Sequence, residues 1–190
     1  MSKIAVFLAP GFEEIEALTV VDLCRRVGIE VVMAAVVEEN GPDAKADILV
    51  TGSHGIAVKA DAVLETVDFD SLDMIVLPGG MPGTKNLEAC EPLMAQLDVF
   101  YKSGKNIAAI CAAPSIFGHR GYLNGRSACS YPGFEGHLTD ACVTENPVEV
   151  SENVITSRGL GTAIPFALAI VECFCGKERA EELAKGVVYK

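Results

Sequence analysis

Four uninterrupted apolar runs constrain the fold of this chain more than any other feature: Ile4–Leu8, Val31–Val37, Met74–Leu77 and Ile107–Ile110. A strand with one wet face alternates apolar and polar residues. Continuous runs of this length describe strands covered on both faces, the habit of a parallel sheet. Amphipathic segments lie between them. Glu13–Val27 carries Ala17, Val20, Val21, Cys24 and Val27 at near-helical spacing, with Glu13, Glu14 and Glu16 at its start, where the helix dipole favours acids. Helices are also predicted over Pro92–Tyr101, Ile116–Arg120, Gly161–Phe174 (ending near Gly176) and Glu178–Lys185. Asp47–Ala60, centred on Ser53-His54-Gly55, reads as a β-hairpin, and Asn40-Gly41-Pro42-Asp43 as a turn. With no linker-like segment or repeat, the 190 residues read as a single domain, an α/β three-layer sandwich with a mostly parallel sheet. Ligands of such sheets sit beyond the carboxyl ends of the strands, after Leu8, Leu77 and Ile110.

Charge narrows the partners. Lys and Arg number 15 against 26 Asp and Glu, a net charge of −11 with no basic cluster. Phosphate backbones and anionic lipids would be repelled, so neither nucleic acid nor membrane is an expected partner. The opening Met1–Ala9 is too short for a signal peptide, and Ala163–Cys175 is interrupted by Pro165 and Glu172. The expected location is the cytoplasm. Seven cysteines (24, 90, 111, 129, 142, 173 and 175) include no CxxC pair, so no metal or dithiol centre is expected. All but Cys111 read as small apolar filler in a reducing compartment.

Cys111 stands apart. The buried run ends on it, Pro114 suits a first helical position, and Ala109, Ala112 and Ala113 leave room for a sharp strand-to-helix elbow. A thiol there faces unpaired amides, and its pKa is expected well below the ordinary value of about 8.5. Gly79-Gly80 after Leu77 lets backbone approach a ligand and, with the Ala112 amide, offers an oxyanion hole. No GxGxxG or P-loop lysine accompanies it, so no nucleotide cofactor is expected. Of the three early acids, Glu13 and Glu14 are accounted for as solvated dipole partners. Glu16, at the edge of the apolar stripe, is the one expected to turn inwards, where burial beside a thiolate would keep it protonated near neutrality.

Taken in this order, LAPGFEEIEA (Leu8–Ala17), CRRVGIEV (Cys24–Val31), VLPGG (Val76–Gly80), AAICAAP (Ala108–Pro114) and TSRGLGTAIPFALAIVE (Thr156–Glu172) resemble the DJ-one family of the ThiJ/PfpI superfamily over nearly the whole chain. The resemblance implies a flavodoxin-like fold, a homodimer through the first helix and the hairpin of the 50s, and a nucleophilic Cys111 bonded to protonated Glu16. Gly80 and Ala112 match the family's oxyanion amides, and Gly79, Tyr131 and Arg158 are expected around the pocket. Family members are credited with cofactor-free glyoxalase and protein or nucleotide deglycase activity on reactive dicarbonyls. They are also credited with oxidative-stress sensing, in which the cysteine becomes a sulfinate, and with chaperone action.

Three positions depart from family patterns. Animal members carry a histidine where this chain has Tyr131, which removes an obvious general base, although related bacterial proteins lack it too. The protease-like branch has histidine after the cysteine, here Ala112, so peptidase activity is not expected. A family arginine in the hairpin is His54. His54, His119 and His137 are expected as exposed histidines away from the thiol. An old thiamine-pathway label finds no support in these residues.

Overall fold

The structure is a computed structural model and describes residues 2–36 and 48–189. Strands are β1 (Lys3–Leu8), β2 (Glu30–Ala35), β3 (Leu49–Thr51), β4 (Ala57–Lys59), β5 (Ala62–Val63), β6 (Met74–Leu77), β7 (Asn106–Ile110), β8 (Ser127–Ala128), β9 (Cys142–Val143), β10 (Val148–Ser151) and β11 (Val154–Ser157). Helices are α1 (Glu14–Arg26), α2 (Gly83–Ala89), α3 (Glu91–Ser103), α4 (Pro114–His119), α5 (Ala163–Cys175) and α6 (Lys177–Gly186).

The central sheet has seven strands in the order β10-β11-β7-β6-β1-β2-β5, parallel except for the edge pair β10–β11. Period-two geometry makes its centre apolar on both sides. Ile4, Val6 and Leu8 of β1 join the core under α1 and α5, while Ala5 and Phe7 join the opposite core under α3 and α4. On α1 the predicted stripe faces inwards: Ala17, Val20, Val21 and Cys24 are buried. Gly176, in the left-handed region at φ 83°, ends α5 where expected.

All four apolar runs form strands, and the hairpin of the 50s is the antiparallel pair β3–β4. Strand β2 stops at Ala35, short of the Val31–Val37 run; Val37, the turn at Asn40–Asp43 and Asp47 lie outside the described residues. The sheet also contains β5, β10 and β11, which the apolar runs do not announce. Strand β11 is buried yet ends in Thr156 and Ser157, whose hydroxyls have local partners: Thr156 accepts from the Cys129 amide at 3.1 Å, and Ser157 donates to the Pro147 carbonyl at 2.7 Å. Among the described residues, no helix is long and apolar enough to cross a membrane.

Candidate active site

Strand β7 hands the chain to α4 through Cys111, which sits at φ 66°. A non-glycine residue in the left-handed region costs about 1–3 kcal/mol and persists only where neighbours hold it. Here the Cys111 amide donates to the Ser157 carbonyl at 3.0 Å and its carbonyl accepts from the Tyr131 amide at 2.8 Å. The elbow is therefore clamped from β11 on one side and from the loop after β8 on the other. Pro114 opens α4, and the buried Ala112 and Ala113 fill the turn without crowding the sulfur.

After β6, Gly79 fits between Cys111 and α1. Its amide donates to Glu16 Oε2 at 2.9 Å and its carbonyl accepts from the Glu13 amide at 2.9 Å. A Cβ on Gly79 would stand 2.5 Å from Cys111 Cβ, 2.8 Å from Glu16 Oε2 and 3.0 Å from the sulfur. One glycine thus brings thiol and carboxyl together, by its small volume and not by an unusual φ. Gly80 is the other kind: at φ 89° it turns tightly against the Glu13 amide, and its own amide joins that of Ala112 in hydrogen bonding to the Cys111 sulfur.

Glu16 turns inwards as expected, with 1 % of its surface exposed. Burial pushes its carboxyl up to about 7, against the Gly79 hydrogen bond, with the charge of Glu13 adding to the rise. Its Oε1 has no hydrogen-bond partner among the described residues, and the Cys111 thiol is a neighbour of the carboxyl. The expectation of a depressed Cys111 pKa is overturned. Burial first, then the charge and hydrogen bond of Glu16, push the thiol up to about 12, while the two amides only moderate the rise. The physical reason is that α4 is six residues long and its end is a weak dipole, whereas desolvation and a carboxylate neighbour act at close range. Thiol and carboxyl titrate as a pair: loss of one proton leaves one charge to share, and loss of the second sets two charges side by side.

Residues 2–173 match the profile of the DJ-1/PfpI family. The chain belongs to the DJ-1/PfpI family. Protein DJ-1 homolog B of Arabidopsis thaliana is 38 % identical over 99 % of this chain, which spans 42 % of that longer relative's length. The glutathione-independent glyoxalase DJR-1.2 of Caenorhabditis elegans is 34 % identical, covering 96 % of this chain and 95 % of its own. The solved structure of oxidised Toxoplasma gondii DJ-1 superposes with a TM-score of 0.90 at 37 % identity, covering 100 % of this chain and 99 % of that one.

Around this DJ-1/PfpI site the remaining predicted residues divide. Tyr131 stands at the rim, half exposed, its ring against Gly159; a Cβ on Gly159 would lie 3.1 Å from Tyr131 Cδ2 and 3.8 Å from Glu16 Oε1. Arg158 turns its guanidinium to the Glu145 carbonyl, to which it donates at 3.3 Å. His119 lies at the end of α4, paired with Glu88 and His137. The filler reading fails for Cys142, Cys173 and Cys175, which are exposed; it holds for buried Cys24 and Cys129.

Glu14 is the residue that sequence reasoning missed. It is not solvated but 2 % exposed, held by the hairpin tip. It accepts from the His54 amide at 2.9 Å, the His54 ring at 3.0 Å and Ser53 Oγ at 3.4 Å, and Gly52 packs so closely that a Cβ would meet its carboxyl at 2.4 Å. Burial raises its pKa, but bonds from its own amide, the His54 ring and the hairpin amides outweigh it and carry the carboxyl down to about 2. His54 is raised in turn, first by its bond to Glu14, then by the charges of Glu13 and Glu14. A carboxylate with a depressed folded pKa stabilises above its unfolded value of 4.5 and loses that contribution as pH falls through 4.5 towards 2. Acid unfolding of Glu14→Gln should therefore show a shallower loss of stability over that window than wild type. Denaturant melts at pH 5, 4 and 3 would reveal it; identical slopes would contradict the assignment.

Proposed function

We propose that this chain is a cofactor-free, cysteine-dependent stress-response protein acting on reactive dicarbonyls, either as a glyoxalase making lactate from methylglyoxal or as a deglycase on adducts of the same dicarbonyls. The observation that carries the reading is the pairing of a buried carboxyl, pushed up to about 7, with a thiol whose sulfur receives two backbone amides. When the pair holds one negative charge, the tautomer with the proton on Glu16 is a thiolate facing a ready acid. The thiolate adds to the aldehyde carbon of methylglyoxal, and the amides of Gly80 and Ala112 receive the developing oxyanion. Glu16 gives its proton to that oxyanion, and the carboxylate so formed removes the proton from the same carbon and returns it to the neighbouring carbon, leaving a lactyl thioester. Water hydrolyses it to lactate and frees the thiol. On the aminocarbinol formed with an amine, the thiolate takes the carbon as the C–N bond breaks and Glu16 protonates the departing amine, which gives the same thiohemiacetal. A relative named as a glutathione-independent glyoxalase supports this reading.

Lactate released from methylglyoxal by purified wild type, beside Cys111→Ser and Glu16→Gln, tests it. Cys111→Ser should fall to background and Glu16→Gln by about 10²-fold or more, the range of a lost general acid–base group. Lactate formation by Cys111→Ser at the wild-type rate would contradict the proposal.

A second reading, redox sensing or redox-gated chaperone action, is favoured by the oxidised state of the Toxoplasma relative. Two equivalents of peroxide would convert Cys111 to a sulfinate, and a protonated Glu16 would donate to it through the oxygen that has no other partner. Intact-mass and peptide mapping should then place two oxygens on Cys111, in different proportion in Glu16→Gln and Glu16→Asp. Oxidation falling chiefly on Cys142 would exclude this role.

The assembly we propose is a homodimer through α1 and the β3–β4 hairpin. Ile15 is 49 % exposed and Ile56 is 55 % exposed, and an open groove runs past Ile15, Leu18 and Ile164. Sedimentation at tens of micromolar should give a dimer for wild type and a monomer for Ile15→Glu; a monomeric wild type would contradict it. Seven free thiols support a reducing compartment, and we place the protein in the cytoplasm.

A further inference from the structure

Two histidines from separate elements meet at the end of α4. His119 ends α4 and His137 ends the short 3-10 turn Glu135–His137. His119 Nε2 and His137 Nδ1 are 2.9 Å apart, with the rings nearly perpendicular at 76°. Behind them, Glu88 of α2 places Oε1 2.6 Å from His119 Nδ1. A carboxylate accepts, so His119 carries its proton on Nδ1 and presents the Nε2 lone pair to His137. Close packing sets this meeting: a Cβ on Gly118 would stand 1.9 Å from the His137 carbonyl oxygen, so only the bare glycine lets the turn seat on α4. Phe134 packs against the His137 ring at 5.7 Å.

We propose that His119 and His137 form a binding site for a divalent transition-metal ion of the nickel and copper class, with Glu88 as the positioning carboxylate behind His119. Imidazole is a preferred ligand of such ions, and a carboxylate on the far nitrogen fixes the ring and strengthens it as a donor. The 2.9 Å between the two nitrogens is the span of their present N–H···N hydrogen bond, close to the separation of about 2.9 Å that two ligands at a right angle take with metal–nitrogen bonds of about 2.0–2.1 Å, an arrangement common for Ni²⁺ and Cu²⁺. Both rings turn so that their lone pairs converge on the ion. On binding, His137 moves its proton from Nδ1 to Nε2, so both nitrogens offer lone pairs, and solvent completes the shell. The ion then ties α2, α4 and the turn together. The site is separate from the Cys111–Glu16 pair and does not rest on the proposed chemistry there.

Titration calorimetry of the full chain with Ni²⁺ tests this, run on wild type, His119→Ala, His137→Ala, Glu88→Gln, His54→Ala and Cys111→Ser. Wild type should bind one ion per chain. Either histidine substitution should weaken binding at least tenfold, and Glu88→Gln about tenfold, the usual effect of losing a carboxylate behind a ligating histidine. His54→Ala and Cys111→Ser should bind as wild type does. The electron paramagnetic resonance spectrum of Cu²⁺ on wild type adds a readout independent of how any variant folds: it should show two coordinating imidazole nitrogens. Absence of Ni²⁺ binding to wild type overturns the proposal. So does binding that survives both histidine substitutions, binding lost in His54→Ala or Cys111→Ser, or a copper spectrum with one nitrogen or a thiolate.

Discussion

Gly79→Ala is expected to silence Cys111 while leaving the fold in place. The added methyl group would stand 2.5 Å from Cys111 Cβ and 2.8 Å from Glu16 Oε2, closer than such atoms approach; Cys111 Cβ is fixed to the elbow, and the Glu16 carboxyl is held in a buried site. One of three things must yield: the elbow clamped by Ser157 and Tyr131, the α1 backbone, or the loop after β6. The loop is the softest. Its retreat breaks the 2.9 Å bond from Gly79 to Glu16 and draws the Gly80 amide from the sulfur. Overpacking of this size costs about 1–3 kcal/mol, which a protein of ordinary stability survives. Reactivity should suffer more, by about 10²-fold or beyond, because acid and amide are displaced together. Iodoacetamide labelling at Cys111 and a urea melt measure both effects. Wild-type labelling in the variant would mean that Gly79 does not hold the pair together.

The second large effect is in stability against pH. In the folded chain Glu16 titrates near 7, above its unfolded value of 4.5, so between these values the folded state holds a proton that the unfolded state has released. Stability therefore falls as pH rises from 4.5 through 7, and the loss is complete above 7. A shift of this size corresponds to about 3 kcal/mol. Glu16→Gln has no such proton. Its stability should lack that fall, so relative to wild type it gains up to about 3 kcal/mol between pH 5 and pH 8. Urea melts at both values test this, and parallel changes in the two proteins would count against a buried, proton-sharing Glu16. Glu14 acts in the opposite sense and in a lower window, below pH 4.5, so the two acids are separable in one titration.

Local patterns made much of this legible. Burial on both faces leaves its mark on every residue of a strand, which is why Ile4–Leu8 and Ile107–Ile110 announce the parallel centre of the sheet. The elbow at Cys111 follows from small residues between a strand and a proline. Glu16 was legible from its place beside the apolar stripe of α1. Features that depend on distant partners were not. Glu14 is buried by a hairpin tip some forty positions away in the chain, and nothing near Glu14 reports that contact. Strand β11 hides because buried Thr156 and Ser157 break its apolar run, their hydroxyls satisfied by Cys129 and Pro147. The direction of the Cys111 shift was misjudged for a related reason. A helix start is visible in sequence, but desolvation and the exact approach of Glu16 belong to the folded packing.

The central claim is that Cys111 and Glu16 share one proton, and the pH dependence of Cys111 alkylation, scored by peptide mapping, tests it most directly. In wild type, labelling at Cys111 should show a first small step with a midpoint near pH 7, as the pair loses its first proton and a minor tautomer carries the charge on sulfur, and a larger rise at high pH as the thiol itself ionises. In Glu16→Gln that step should vanish, leaving a single rise above the ordinary thiol value of about 8.5, because burial still raises the thiol and the amides of Gly80 and Ala112 only moderate it. Superimposable profiles for the two proteins, or labelling of Cys111 that follows an ordinary thiol titration in wild type, would contradict the account.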